Sequence, residues 1–447
     1  MIMEAASRYW WHRFGEREAC SWDELEKFPR LRPDRQRRIL AERLLAQVQY
    51  FGARADALPE WREAARIKNP DEIWKAWPSL PVLAKKDLQT RFPARELQSR
   101  FHLEGIVKST GGSTGEPTHV FHDAPMMRAA NAASTYTRLR MGWRPGMVTV
   151  KVWGSERDIQ RRVDLRTRLY TRLLRDIVID GYEMNDRTVS QLLALVQRYR
   201  PVSIWGFSSM LDFVANAILQ QQACPPPGSV RTAWNGGEML LPGQIEAFRR
   251  AFGVPILNRY GGRELSTMAC QFEDGGPLAV LRPWLFVEVV NDSGKPVAPG
   301  ESGRLLWTST ICRGTPILRY DIGDLGSFLP LHEDESGVSA LSALHGRSAG
   351  ILDLPDGRKI NCLYWNHLLK EFPEVRQFQI VVHEDGSLEC LLKGSGFTAS
   401  REAALRAVAR SFLGAIQISF RWVEQIPLTR RGKLLQVVRE QPLSSQH

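Results

Sequence analysis

Between Val148 and Leu257 the sequence alternates short apolar runs with stretches of helical period, and this alternation restricts the fold more than any other feature. Val148 to Trp153, Ile177 to Asp180, Val202 to Trp205, Val230 to Trp234 and Pro255 to Leu257 read as strands. Ser190 to Tyr199, Ser209 to Gln221 and Pro242 to Phe252 read as helices. Strands separated by helices of ~10–15 residues indicate an α/β sheet with parallel character. Upstream, residues 33–52 place Ile39, Leu40, Leu44, Leu45 and Val48 on one helical face, with Pro33 near the start and Gly52 just past the end. A loop-rich section carrying Pro59, Pro70, Pro78, Pro81 and Pro93 follows.

From Leu278 onward strands dominate, among them Leu285 to Val290 and Leu305 to Thr308. A new unit begins near Gly346. It reads as a hairpin around Pro355-Asp356-Gly357, a helix near Trp365 to Glu371, and strands Gln379 to His383 and Leu388 to Leu392. A helix over Arg401 to Leu413 and a last strand over Gln417 to Val423 complete it. The expected fold class is α/β: a large N-terminal domain (residues 1–345) with mixed, partly parallel sheets, and a small α+β C-terminal domain (residues 346–447), within the usual size range.

Several function classes are disfavoured at once. With 43% hydrophobic and 24% charged residues in 447, the chain is neither disordered nor fibrous. No apolar run approaches the ~18 residues of a membrane span, and the N-terminal twenty residues carry charge where a signal peptide needs an apolar core, so a cytoplasmic protein is expected. The 6 cysteines form no CxxC pair and have no histidine at ligand spacing, which supports neither a zinc site nor a disulfide framework; they read as small buried residues. The net charge is +11, and eleven of the basic residues fall between Arg138 and Arg175. That stretch would attract a polyanion or form a solvated helix face. Nucleic acid is disfavoured because no recognisable binding motif accompanies the charge.

The chemistry-bearing segments are six. Ser109-Thr110-Gly111-Gly112-Ser113-Thr114-Gly115-Glu116-Pro117-Thr118 packs glycines and hydroxyls as an anion-binding backbone requires, yet lacks the lysine that ends a P-loop. Asn235-Gly236-Gly237-Glu238 and Asn258-Arg259-Tyr260-Gly261-Gly262-Arg263-Glu264 follow predicted strands, where open α/β sheets bind ligands. Taken alone, a Gly-Gly there is more often a turn. Arg319-Tyr320-Asp321-Ile322-Gly323-Asp324, Gly346-Arg347 and Pro427-Leu428-Thr429-Arg430-Arg431-Gly432-Lys433 complete the set.

Their order and spacing resemble the adenylate-forming enzymes, whose motifs run SSGTTGKPT, YGxTE, YRTGD, GRxDD and PxTxSGK; here stand STGGSTGEPT, YGGRE, YDIGD, GRSAG and PLTRRGK. The chain length, the short N-terminal portion and Ile204-Trp205-Gly206-Phe207-Ser208-Ser209 are most similar to the phenylacetate–CoA ligase subgroup. The resemblance implies ATP-dependent activation of a carboxylic acid through an acyl-AMP. ATP and Mg²⁺ would be used, with CoA as the acceptor in most relatives. The alternative is an adenylating enzyme that passes its acyl group to an amine or a hydroxyl. Residues 1–345 would then bind ATP and the acid, and residues 346–447 would form a mobile lid.

By the same resemblance, Gly111, Gly112, Ser113, Thr114 and Gly115, with Thr110, would wrap the β- and γ-phosphates. Gly236, Gly237 and Glu238 would line the adenine with backbone contacts, Tyr260 would pack on the base, and Asn258 belongs to the same nucleotide set. Asp324 would accept from the ribose hydroxyls, and Arg347 would support ribose or phosphate. Glu264 would help hold Mg²⁺, Arg263 would face the α-phosphate, and Lys433 would reach in from the small domain. Trp153, Trp205 and Phe207 follow strands and would line a pocket for an aromatic or apolar acid. Three of the motifs depart from the family. Glu116 replaces the phosphate-loop lysine, Arg263 replaces a threonine, and Ala349-Gly350 replaces an acidic pair whose first member is the usual hinge for the second half-reaction.

Overall fold

The computed structural model describes residues 16–109, 118–153, 175–180, 185–334, 337–347, 351–353, 359–361, 369, 372, 374–383, 385–395, 397–413, 417–427, 434–435 and 437–440. The chain divides into two compact units. One comprises Met1–Gly146 and Leu257–Leu344, the other Met147–Ile256 and His345–His447.

The second unit is built on a five-stranded sheet in the order Asp176–Asp180, Thr149–Trp153, Val202–Gly206, Val230–Asn235, Ile256–Leu257. Its first four strands pair in parallel. The strands carry runs of Val and Ile because both faces are covered, as parallel sheets require. Val150, Val152, Val202 and Ile204 are wholly buried. They pack with Val189, Leu192 and Val196 of helix Asp186–Tyr199 and with Leu211, Val214 and Ile218 of helix Ser208–Gln220. Local signals set the helix ends. Asn185 Oδ1 accepts from the N–H groups of Arg187 and Thr188 at 3.1 and 3.3 Å. Helix Pro242–Phe252 starts on a proline and stops at Gly253, whose φ of +74° no L-residue adopts readily.

The C-terminal part of this unit forms a separate sheet in the order Ile418–Trp422, Leu388–Gly394, Val375–Val382, Val437–Arg439. With helix Ala399–Leu413 it buries Phe378, Ile380, Leu392 and Leu405. Strand Val437–Arg439 runs parallel to Val375–Val382 and extends the sheet past the strand expected to be last. Three residues carry too little pattern to be read, and the neighbouring strand defines them. The hairpin is present as the pairing of Ile351–Asp353 with Lys359–Asn361. Its turn, and most of the helix expected near Trp365 to Glu371, lie outside the described residues.

The first unit is dominated by antiparallel strands. Leu285–Val290, Gly303–Ser309 and Tyr320–Ser327 pair in that order, and Arg259–Gly262, Ser266–Gln271 and Leu278–Val280 pair in another sheet. Gly105–Ser109 and His119–Asp123 form a hairpin in unbroken register. The proline-rich section is not all loop: Pro59 opens helix Pro59–Ala64, and Pro70 and Pro78 lie at the starts of 3₁₀ turns, where a missing N–H costs nothing. Among the described residues no helix is long and apolar enough to cross a membrane. Cys270, Cys312 and Cys390 are buried as expected, whereas Cys224 is exposed on the connection after helix Ser208–Gln220.

A buried arginine ties this unit together. Arg319 is 2% exposed, and its guanidinium donates to both carboxylate oxygens of Glu288, to the carbonyls of Pro78 and Leu80 at 2.8 and 2.6 Å, and to Gly294 O at 3.3 Å. Trp77 Nε1 donates to Glu288 Oε2 at 3.0 Å. Burial pushes the Glu288 carboxyl up, and the Arg319 guanidinium opposes that. Removing one partner of such a pair strands the other charge in the interior, so Arg319→Met should lower stability by about 3–5 kcal/mol, read from the urea midpoint. Adding Glu288→Leu should recover part of that loss; a double variant no better than the single would show that packing, not charge, dominates.

Candidate active site

In the second unit the expected residues gather at the carboxyl ends of the parallel strands. Trp153 ends Thr149–Trp153, and Trp205, Gly206 and Phe207 end or follow Val202–Gly206. The Trp153 ring stacks on Phe207 at 4.1 Å between centroids and lies 5.0 Å from Trp205 at a tilt of 43°. Phe207 is 2% exposed and belongs to the core, while Trp153 and Trp205 are half-buried. Lys151 Nζ sits 4.8 Å over the Trp205 ring and pairs with Asp176 at 2.6 Å.

The Asn235–Glu238 turn closes against these rings. Gly236 N donates to Gly206 O at 3.1 Å, and a Cβ on Gly236 would stand 3.1 Å from Trp205 Nε1. Gly237 takes a φ of +76°. Asn235, wholly buried, holds the turn by donating from Nδ2 to Ser208 Oγ at 2.9 Å and to Glu238 O at 3.0 Å. The Glu238 carboxylate is itself engaged. It accepts from Ser209 N at 2.9 Å, at the N-terminus of helix Ser208–Gln220, and from Leu434 N at 3.2 Å.

In the first unit, Tyr260 and Asp324 meet although 64 residues separate them, the Tyr260 hydroxyl donating to Asp324 Oδ2 at 2.6 Å. The Tyr260 ring also lies 5.8 Å from Trp307. The two aspartates of RYDIGD divide their roles. Asp321 accepts from Arg304 Nη1 at 2.7 Å and from Gly323 N at 2.9 Å and is structural; Asp324 is the half-buried carboxylate that meets Tyr260. Asn258 is half-buried and exchanges backbone bonds with Gln271, at 3.1 Å to Gln271 Oε1 and 2.8 Å from Gln271 N.

Arg263 is exposed and Glu264 half-buried on the turn between Arg259–Gly262 and Ser266–Gln271. The Glu264 carboxylate lies so close over Gly262 that a Cβ there would stand 2.8 Å from Oε2. Two residues with no expected role complete this corner. His122 Nε2 donates to Glu264 O at 2.8 Å, and burial together with the nearby Lys108 ammonium lowers its pKa to about 4, so the ring is neutral. Lys108 Nζ donates to Ser266 Oγ at 3.4 Å. The only signals of either in the sequence are a lysine and a histidine interrupting the short strands GIVKS and HVFHD.

Thr110 to Gly115 and Lys433 lie outside the described residues; for Arg347 only its place in strand Ala343–Arg347 is described. Among the described residues no group of three His, Cys, Asp or Glu side chains could hold a metal ion. A lone carboxylate such as Glu264 still fits Mg²⁺ that arrives on a nucleotide, since that ion takes one or two carboxylates beside substrate phosphates and waters.

A model of the AMP-binding enzyme family matches residues 170–312. A phenylacetate-coenzyme A ligase of Thermus thermophilus is 25% identical over 382 residues, covering 82% of each chain. A phenylacetate-coenzyme A ligase of Escherichia coli is 24% identical over 72% of this chain and 74% of its own. Among solved structures, a 2-hydroxyisobutyryl-CoA ligase in the postadenylation state superposes with a TM-score of 0.66 at 17% identity over 91% of this chain and 90% of its own. The amide bond synthetase McbA from Marinactinospora thermotolerans does so with a TM-score of 0.52 at 21% identity over 73% and 67%.

The tight turn before Glu264 makes a test. A Cβ on Gly261 would lie 2.2 Å from the Ser266 carbonyl oxygen, a backbone atom inside a strand pair, whereas one on Gly243 meets nothing within 4 Å. Gly261→Ala should therefore cost roughly 1–3 kcal/mol and disturb the Arg263–Glu264 turn. Gly243→Ala, inside helix Pro242–Phe252, should be neutral or stabilising by about 0.5–1 kcal/mol. Thermal denaturation of both variants checks the contrast, and equal melting temperatures would contradict it.

Proposed function

The chain is an adenylate-forming enzyme of the phenylacetate–CoA ligase-like subgroup, an ATP-dependent AMP-forming ligase, and on that premise we propose that it activates an aromatic carboxylic acid and transfers the acyl group to coenzyme A. The observation that carries the nucleotide reading is the Tyr260–Asp324 hydrogen bond, which brings the YGGRE and RYDIGD segments to one point.

In this reading the Asp324 carboxylate, held in orientation by the Tyr260 hydroxyl, accepts from the ribose hydroxyls. The backbone of Gly236 and Gly237 lines the adenine, and Thr110 to Gly115 wrap the terminal phosphates. Arg263 faces the α-phosphate, Arg347 supports ribose or phosphate, and Glu264 would hold Mg²⁺, which supplies charge neutralisation of the phosphates. One oxygen of the substrate carboxylate attacks the α-phosphorus in line. The bond to the bridging oxygen breaks, and pyrophosphate departs with the electron pair. Lys433 stabilises the charge that develops between carboxylate and α-phosphate. The thiol sulfur of CoA then attacks the acyl carbon, its proton is lost, and AMP leaves.

The preference for an aromatic acid rests on Trp153 and Trp205, half-buried at the strand ends, with Phe207 stacked behind Trp153. An amine or hydroxyl acceptor is the second reading. It draws on Ala349-Gly350, which stand where the family has its acidic hinge pair, and on the likeness to an amide bond synthetase.

Acid-dependent ATP–pyrophosphate exchange, screened over aryl, fatty and amino acids, tests the first half-reaction, and CoA consumption tests the second. Aryl acids should give the fastest exchange. Lys433→Ala should slow exchange by about 10²-fold or more while transfer from pre-formed acyl-AMP survives. Asp324→Ala should weaken ATP binding by about 1.5–3 kcal/mol in calorimetry, the value of a charge-assisted hydrogen bond. Exchange at the wild-type rate in Lys433→Ala would remove that residue from the mechanism.

A further inference from the structure

We infer that Lys108 is a polyphosphate-contacting residue that supplies, from the strand leading into the glycine-rich segment, the positive charge this chain lacks at Glu116. The inference rests on the adenylate-forming reading above and goes beyond it by adding a residue that no motif contains.

The geometry is local to the first unit. Lys108 lies on strand Gly105–Ser109, two residues before Thr110, and faces Val120 of the paired strand. His122, two residues further along that strand, lies on the same face and donates to Glu264 O at 2.8 Å. This face of the hairpin therefore rests on the Arg263–Ser266 turn, and Lys108 Nζ reaches Ser266 Oγ at 3.4 Å. Two cations meet here. Arg263 stands near enough to Lys108 to disfavour its charged form, and burial acts in the same direction.

Among the described residues, neither cation has a carboxylate partner. The Glu264 carboxylate, next to Arg263 in the chain, is folded over Gly262. A half-buried ammonium beside a guanidinium, with only a hydroxyl to bond, is unfavourable unless an anion joins it. His122 cannot be that anion; it is neutral and spends its Nε2 proton on Glu264 O. The nucleotide reading places a polyanion at this turn, with Arg263 at the α-phosphate and the glycine-rich segment at the outer phosphates. Lys108 touches this turn through Ser266 and stands two residues ahead of the glycine-rich segment in the chain. Relative to the family pattern, Glu116 exchanges a positive charge for a negative one, and a lysine eight residues earlier on the entering strand offsets that change.

The test is calorimetry with ATP and AMP on the full chain and on Lys108→Met, Lys108→Arg and Lys108→Gln. Lys108→Met should bind ATP roughly tenfold or more weakly, with AMP affinity changed at most about twofold, because AMP lacks the outer phosphates. Lys108→Arg should recover most of the ATP affinity. Lys108→Gln keeps a polar tip against Ser266 without the charge; it should behave as Lys108→Met does and serves where that variant does not fold. Unchanged ATP affinity in the Met or Gln variant overturns the inference. So does a parallel loss of ATP and AMP binding that Lys108→Arg fails to rescue, which would mark a structural lysine. A wild-type chain that binds no ATP overturns this inference together with the function it rests on, whereas wild-type binding with unaltered variants overturns this inference alone.

Discussion

The buried Arg319–Glu288 pair is the constraint on which the meeting of Tyr260 and Asp324 depends. Arg319 sits at the entrance of strand Tyr320–Ser327, and its side chain gathers the carbonyls of Pro78, Leu80 and Gly294 around one guanidinium. Its backbone acts in the same sense: Leu83 N donates to Arg319 O at 3.1 Å, and Asp321 N to Leu83 O at 2.8 Å. The first residues of the strand are pinned on both sides and Asp321 is fixed by Arg304, so the irregular stretch that follows, where the pairing shifts register between Asp321 and Leu325, starts from a fixed point and carries Asp324 to Tyr260. The interaction therefore fixes where the strand begins as well as adding stability.

A different constraint governs the parallel sheet. Its strand ends place two indoles and a phenyl ring in contact, and the backbone that follows must pass close beside them. Gly206 shows how little room remains, since a Cβ there would lie 2.8 Å from Val152 O. Gly236 meets the same limit against Trp205. The aromatic surface proposed for the acid and the peptide surface proposed for the base are thus neighbours by construction, built from consecutive strands of one sheet.

The sequence made the parallel sheet legible because its strands are buried on both faces and its helices are amphipathic, so each element carries its own pattern. It made the nucleotide motifs legible only through their order along the chain. What it concealed depends on distance. Asp321 and Asp324 look alike in RYDIGD; Arg304 and Tyr260, far away in sequence, decide which is structural. Lys108 and His122 acquire meaning only when their hairpin folds onto the Arg263–Ser266 turn. Strand Val437–Arg439 exists because Val375–Val382 offers it an edge. Phe207 illustrates the opposite case. A pattern that reads as pocket aromatic describes a residue whose own surface is spent in the core, with only Trp153 and Trp205 left half-buried.

Glu238 holds Ser209 and Leu434 through their main-chain N–H groups alone. At residue 434, which is half-buried, a fastening of this kind is blind to side-chain identity: almost any amino acid except proline leaves the carboxylate its donor. It is not blind to length. One residue inserted between Leu434 and strand Val437–Arg439 would carry the wrong amide to Glu238. The segment that follows Lys433 is therefore a part of the chain where substitutions should accumulate freely over evolutionary time while insertions and deletions do not.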